Sequence, residues 1–266
     1  MATLWNHKNY TTILPFIIAT NIYEYDIKKA NINILLHEGI IDEKEYNRLY
    51  NLPRMNRQVE IGYMIRNNPH IDKVLSDGIK EMKRRFFEAN NIEDVSIVSI
   101  KNDAVFVMNT EPLITKFDNV EFAKKNTYSS FYKLNKNLEV YFRSDRVNGT
   151  MIFDVKGIND ERLVLHQDYM CAWLAQIMYS IETGDIEYAI REINIFFDDF
   201  IQRRLPIEYY RSFDAISEYV VVANGSPYFL PTARECDKAN INITTNLNII
   251  REMYGICSQL YFTRNN

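Results

Sequence analysis

The chain is poor in the residues that break secondary structure and in those that hold metals through sulfur or imidazole. Its 266 residues include 8 glycines, 7 prolines, 3 cysteines and 4 histidines. No internal repeat or low-complexity tract is visible. No CxxC and no Cys/His cluster occurs, which argues against a zinc ribbon or a disulfide framework. Cys171, Cys236 and Cys257 are widely spaced and odd in number, and read as reduced thiols. There is neither a P-loop nor a GxGxxG, so those two phosphate cradles are excluded. Long apolar runs are missing as well. Ile13–Ala19 spans seven residues and contains Pro15, too short for a membrane span. No basic stretch and cleavage site surround it, so no signal peptide is expected and the cytoplasm is the expected location, with no membrane partner. Finally, positive charge is not in excess. Lys and Arg number 31 against 35 Asp and Glu, a net charge of −4. That balance opposes a uniformly basic nucleic-acid binder, yet leaves room for a local basic groove.

What is present is apolar mass: 47% of the residues, enough for a substantial core in one large domain or two modest ones. Hydrophobic periodicity orders the elements. Residues 21–27 (NIYEYDI) alternate as a half-buried strand. From Lys28 onward Ala30, Ile34 and Leu35 recur at helical spacing, and Gly39 is placed to stop that helix. Asp42 is placed to cap a short helix, with Glu43 and Glu45 in its first turn and Pro53 at its end. Helices are predicted over 54–69 and 71–90. In the second, Ile71, Val74, Leu75, Ile79, Met82, Phe86 and Phe87 form one stripe, and Lys80, Lys83, Arg84 and Arg85 are expected on the solvent side. The period then switches to two. DVSIVSIKNDAVFVMN (94–109) predicts a tight hairpin that turns at Lys101-Asn102-Asp103. More strand pieces follow within 117–142 and at GTMIFDVKGI. Amphipathic helices are predicted over 163–182 and 185–204, parted by Thr183-Gly184-Asp185. EYVVVANGSPYFLP reads as strand or loop turning at Asn224-Gly225, and a last helix is predicted over 241–260. The expected class is α+β: an antiparallel sheet flanked by helices, then a mostly helical C-terminal region, with a soft division at 1–155 and 156–266.

Two acids stand out by position. Asp26 closes the first strand, and Asp103 sits at the hairpin turn. Side by side, two such carboxylates suit hard divalent ions, which take oxygen ligands and leave room for phosphate. A pair of ions about 4 Å apart can activate a 3′-hydroxyl and stabilise a leaving pyrophosphate.

The residues around these acids carry a resemblance. DIKKANINILLHEG (26–39) resembles motif A of family A DNA polymerases, usually DYSQIELRILAH. Asp26 takes the aspartate position, Ile34-Leu35 the aliphatic pair, His37 the histidine, and Asn31 the position of the steric-gate glutamate. IKNDAVFV (100–107) resembles motif C, usually VHDELVFE, with Asp103 as the aspartate. RMNRQVEIGYMI (54–65) resembles motif B, whose Lys-x-x-x-Phe-Gly falls on Arg57, Ile61 and Gly62. The departures are Ala104 at the second acid of motif C, Asn31 at the gate, Ile61 for phenylalanine, and Pro53 at the motif B arginine, with Arg54 one residue away. The opening of motif A also fits family B, so the palm is more secure than the family letter. The resemblance covers roughly residues 21–110.

It implies a palm-like sheet and a compact, phage-type nucleotidyltransferase. Asp26 and Asp103 would be catalytic and would hold Mg²⁺ or Mn²⁺ together with the Ile27 carbonyl. Arg57, Arg54, Asn31 and Gly62 would bind a nucleoside triphosphate. Lys101, Lys125 and His37 would contact nucleic acid. A guanidinium at position 57 suits phosphate because it donates bidentately. Two other readings stand beside it: a non-catalytic palm-like subunit that binds or scaffolds a phage replication or transcription complex, and a metal-dependent phosphodiesterase using the same acids. Lys124, Lys125, Lys133 and Lys136 among aromatic residues fit either a nucleic-acid track or half-exposed strands. His166 with Asp168 reads as helix capping, and Asp198-Asp199 as surface acids or, if the fold brings them near, a third metal carboxylate.

Overall fold

A computed structural model describes residues 2–145, 148–158, 163–164, 166–210, 220–223, 226–229 and 244–264. The chain forms two compact units. Unit 1 comprises Met1–Ile13 and Thr20–Tyr128, and unit 2 comprises Leu14–Ala19 and Ser129–Asn266.

Unit 1 begins with β1 (Asn9–Thr11) and the long β2 (Phe16–Ile27), whose first residues belong to unit 2. Four helices follow: α1 (Ala30–His37), α2 (Glu43–Tyr50), α3 (Arg54–Asn67) and α4 (His70–Ala89). Then come β3 (Ile97–Lys101), β4 (Ala104–Met108), β5 (Lys116–Phe117) and β6 (Val120–Lys133). The strand order is β1-β3-β4-β2-β6, with β5 on β6. β1 pairs with β3, β3 with β4, and β4 with β2, all antiparallel.

Local chemistry explains the joins. Lys29 takes a left-handed conformation (φ 44°) and turns the chain sharply out of β2 into α1. Asp42 caps α2 by accepting the Glu45 N–H at 2.8 Å, as its sequence pattern predicts. β3 and β4 are joined by Asn102 and Asp103. Asn102 is left-handed (φ 56°), a conformation that asparagine tolerates better than most residues. The apolar stripe of α4 and the alternate residues Tyr23, Tyr25 and Ile27 of β2 meet in one core with Ile34, Leu35, Val105 and Val107. α1 and α4 come close at Gly78, where a Cβ would stand 2.4 Å from Ile34 Cγ2. One residue departs from the amphipathic expectation: Lys83, predicted on the solvent side of α4, is 1% exposed.

In unit 2 the second half of β6 pairs with β7 (Glu139–Asp145), and β7 pairs with β8 (Thr150–Lys156), both antiparallel. A π-helical turn (Gln167–Cys171) leads into α5 (Ala172–Thr183). His166 lies at its start and is buried, with no side-chain cap bond, unlike the capping role its sequence position suggests. Gly184 (φ 88°) stops α5, and Asp185 caps α6 (Ile186–Ile201) by accepting the Tyr188 N–H at 3.1 Å. A two-stranded ribbon, β9 (Val220–Ala223) and β10 (Ser226–Phe229), and a final helix α7 (Thr244–Arg264) complete the unit. The predicted turn at Asn224-Gly225 and Cys236 lie outside the described residues. The core contains Trp173 stacked on Phe196 at 4.3 Å and the buried Cys171 and Cys257, whose thiols burial pushes up to about 12.

The protein is therefore α+β, with antiparallel strands, flanking helices and a mostly helical C-terminal region. Among the described residues no helix is long and apolar enough to cross a membrane.

Candidate functional site

Antiparallel pairing of β2 with β4 sets Asp26 opposite Ala104. One residue further along each strand, the Ile27 N–H donates to the Asp103 carbonyl at 3.3 Å. The two aspartates thus lie one register step apart at the ends of neighbouring strands. Strict alternation would point them to opposite faces. Asp103, however, sits in the turn, where the pleat ends, and both residues line one open depression of about 410 Å³.

Four segments build that depression. The β2–α1 junction supplies Asp26, Ile27, Lys29, Ala30, Asn31 and Ile32. α3 supplies Arg54, Arg57, Gln58 and Ile61, the hairpin supplies Asn102 and Asp103, and β6 supplies Lys125. The helical period of α3 places positions 54, 57, 58 and 61 on one face, which explains why the segment contributes two guanidinium groups together.

The charged groups differ in how they are held. Lys125 Nζ is 3.7 Å from Asp26 Oδ2, an ion pair of half-exposed partners. Lys29 donates to the Tyr50 carbonyl at 3.0 Å and lies 2.8 Å from the centre of the Tyr50 ring. That double hold fixes a left-handed residue at the rim. Arg57 Nη1 reaches the Leu52 carbonyl at 3.3 Å, and Arg54 is exposed. Asn102 Nδ2 lies 3.4 Å from Asp103 Oδ1. Next to the depression on β2, the buried Glu24 accepts from Tyr128 Oη at 2.6 Å and from Asn126 Nδ2 at 3.1 Å, so this third acid is occupied within the protein.

Of the residues singled out in the sequence, Asp26, Ile27, Asn31, Arg54, Arg57, Asp103 and Lys125 therefore come together. Gly62, Lys101 and His37 do not line the depression. Gly62 is exposed, on another part of α3. Lys101 Nζ donates to Thr11 Oγ1 at 3.2 Å, and His37 Nδ1 lies 3.8 Å from Asp118 Oδ2. Lys29, Gln58 and Asn102 line the site without having been marked by the sequence. For Lys29 the available signal was its place between a strand end and a helix start.

Two carboxylates facing one polar depression suit a hard cation that completes its shell with phosphate and water oxygens. No group of three or more His, Cys, Asp or Glu side chains arranged to hold a metal occurs among the described residues. Any ion here would rest on two carboxylates and complete its shell with backbone, water or phosphate oxygens.

No curated protein matches the chain. A family model described as "Bacteriophage PBS1 gene 130 protein" matches residues 1–258. With nearly its whole length so matched, the chain belongs to this bacteriophage protein family.

Proposed function

We propose that unit 1 binds a magnesium–nucleoside triphosphate in the depression between β2, α1, α3 and the β3–β4 turn, and uses it for nucleotidyl transfer to a 3′-hydroxyl. The observation that carries this reading is the convergence of two acids and four cations, drawn from four chain-remote segments, on one depression. Such a mixture suits a polyphosphate that arrives with its own divalent ion: the cations face the phosphates and the acids face the metal. The lining is otherwise rich in amide side chains (Asn31, Gln58, Asn102), which suits sugar and phosphate oxygens.

In this reading Arg57 and Arg54 hold the terminal phosphates, Lys29 neutralises charge at the rim, and Asn31 lies beside the sugar. Asp26 and Asp103 hold Mg²⁺ or Mn²⁺, with the Ile27 carbonyl as a further oxygen. The ion supplies Lewis-acid stabilisation of charge on the phosphoryl group. Lys125, 3.7 Å from Asp26, pairs with that carboxylate until a ligand arrives and then contacts the nucleic-acid backbone. The palm resemblance of residues 21–110 agrees with these roles and points to a DNA polymerase-like activity in the host cytoplasm, alone or with other replication or transcription subunits.

One observation favours a second reading, a non-catalytic subunit that binds nucleotide or nucleic acid. The third nearby acid, Glu24, is occupied by Tyr128 and Asn126, which leaves two carboxylates for metal. The deciding experiment incubates the full chain with a labelled primer–template, Mg²⁺ and the four dNTPs. Primer extension that disappears in Asp26→Asn and Asp103→Asn supports transfer. Shortening of the oligonucleotide identifies a phosphodiesterase, and binding without either product identifies the non-catalytic subunit. Extension that persists in both variants rejects the assignment.

A further inference from the structure

Lys83 is a buried cation with a sparse setting. It projects from the core face of α4, is 1% exposed, and donates to the His7 carbonyl at 2.6 Å. That carbonyl is its one hydrogen-bond partner among the described residues. A buried ammonium with a single neutral acceptor is costly, and a methionine of similar length would fill the space with less penalty. Packing alone therefore does not account for a lysine here.

The surroundings supply a reason. The residue after His7, Lys8, accepts the Asn102 N–H through its carbonyl at 2.7 Å. Asn102 is the left-handed residue of the β3–β4 turn and directly precedes Asp103. β1 then runs beside β3, with Asn9 opposite Lys101. The segment from His7 to Thr11 thus straps the hairpin at its turn, and Lys83 holds the strap from below. Burial first, then Lys80, push the Lys83 ammonium down to about 8, while Asp103 pulls the other way, which places the acid's charge within electrostatic reach.

We infer that Lys83 is a positioning residue: by tethering the His7 carbonyl it holds the N-terminal strap against the Asn102-Asp103 turn and so fixes the carboxylate of Asp103 in the depression. Its consequence for metal binding rests on the function proposed above; its effect on the turn does not.

The test compares the full-length wild type with Lys83→Met and Lys83→Gln by amide hydrogen exchange. Met removes the donor and keeps the volume, whereas Gln keeps a donor and removes the charge. In Lys83→Met the Asn102 amide exchanges about tenfold faster or more, while core amides such as Val105 and Phe86 keep wild-type rates. In Lys83→Gln the Asn102 rate stays within about threefold of wild type. Unchanged Asn102 exchange in a folded Lys83→Met, or an increase spread evenly over unit 1, overturns the inference. If Lys83→Met does not fold, the wild-type Lys83 ammonium decides by nitrogen NMR. Slow exchange with solvent supports a held donor, and exchange as fast as that of exposed Lys44 overturns it. A second arm titrates Mg²⁺ with dATP: Lys83→Met weakens binding about tenfold. If the wild type binds no magnesium nucleotide, the proposed function fails, and the exchange result still judges Lys83.

Discussion

Half-buried carboxylates are held in opposite ways at Glu182 of unit 2 and at Asp26 and Asp103 of unit 1. In unit 2, Glu182 at the end of α5 is saturated by serines. Its oxygens accept from Ser129 Oγ, from Ser130 Oγ at 3.2 Å, from the Ser144 N–H at 3.0 Å and from Ser144 Oγ at 2.6 Å. In unit 1, Asp26 and Asp103 line an open depression beside Lys125, Arg54 and Arg57. An acid whose lone pairs are filled by the protein locks a helix to a sheet. Acids and cations that face an opening retain capacity for a ligand. The depression between α6 and α7 in unit 2 offers a contrast: it is lined by Ile193, Phe197, Ile250 and Tyr254, with Arg251 and Asn194 as its polar members. Acids and cations converge on the opening in unit 1 and not on this one.

Four changes would sharpen or break this contrast. The largest effect is expected from Glu182→Ala, which removes the acceptor of the Ser144 hydroxyl and N–H and leaves the Ser129 and Ser130 hydroxyls only the Phe142 carbonyl. It should destabilise the protein by about 3 kcal/mol in chemical denaturation and leave magnesium-nucleotide affinity unchanged. A loss of affinity would show that the site does not belong to unit 1 alone.

Next comes the pH dependence that Lys83 confers. Its folded-state pKa, about 8, lies below the ordinary lysine value of 10.5. Between these values the unfolded chain binds the extra proton, so stability rises with pH across that window; below pH 8 both states are protonated and the penalty is constant. The whole rise is about 3 kcal/mol. It is read as wild type minus Lys83→Met, since the cysteines at 171 and 257, with raised thiol pKa values, act in the opposite direction from pH 9 upward. A flat difference from pH 8 to pH 10 contradicts the buried charge.

A smaller change is expected from Arg57→Ala, which should raise the dissociation constant for magnesium-dATP about tenfold, or about 1.4 kcal/mol, without a shift in unfolding midpoint. Arg57→Lys should recover part of it, because lysine keeps the charge and loses the fork. Smallest are the two helix caps, one in each unit. Asp42→Ala and Asp185→Ala should each cost about 1 kcal/mol in denaturant titration, with nucleotide affinity untouched by the second.

How much of this was legible in the sequence follows from the range of the forces involved. The β3–β4 turn, the Asp42 cap and the stripe of α4 were readable because their causes lie within a few residues. The start of β2 at Phe16 rather than near Asn21 was not, since FIIAT shows no alternation. Lys83 was misplaced because helical periodicity assigns a lysine to water, and only the His7 carbonyl, remote in sequence, gives it a reason to be inside. Motif spacing marked Asp26, Asp103 and Arg57, which do line one depression. It also marked Gly62, Lys101 and His37, which do not, because spacing does not determine where a side chain stands once Asp118 or Thr11 is available to it.

The most direct test of the central claim is calorimetric titration of dATP into the full-length protein with and without Mg²⁺. Magnesium-dependent binding at one site, lost in the Asp26→Asn/Asp103→Asn double variant at an unchanged unfolding midpoint, is the predicted result. Binding that ignores magnesium, or survives loss of both acids, would contradict the account.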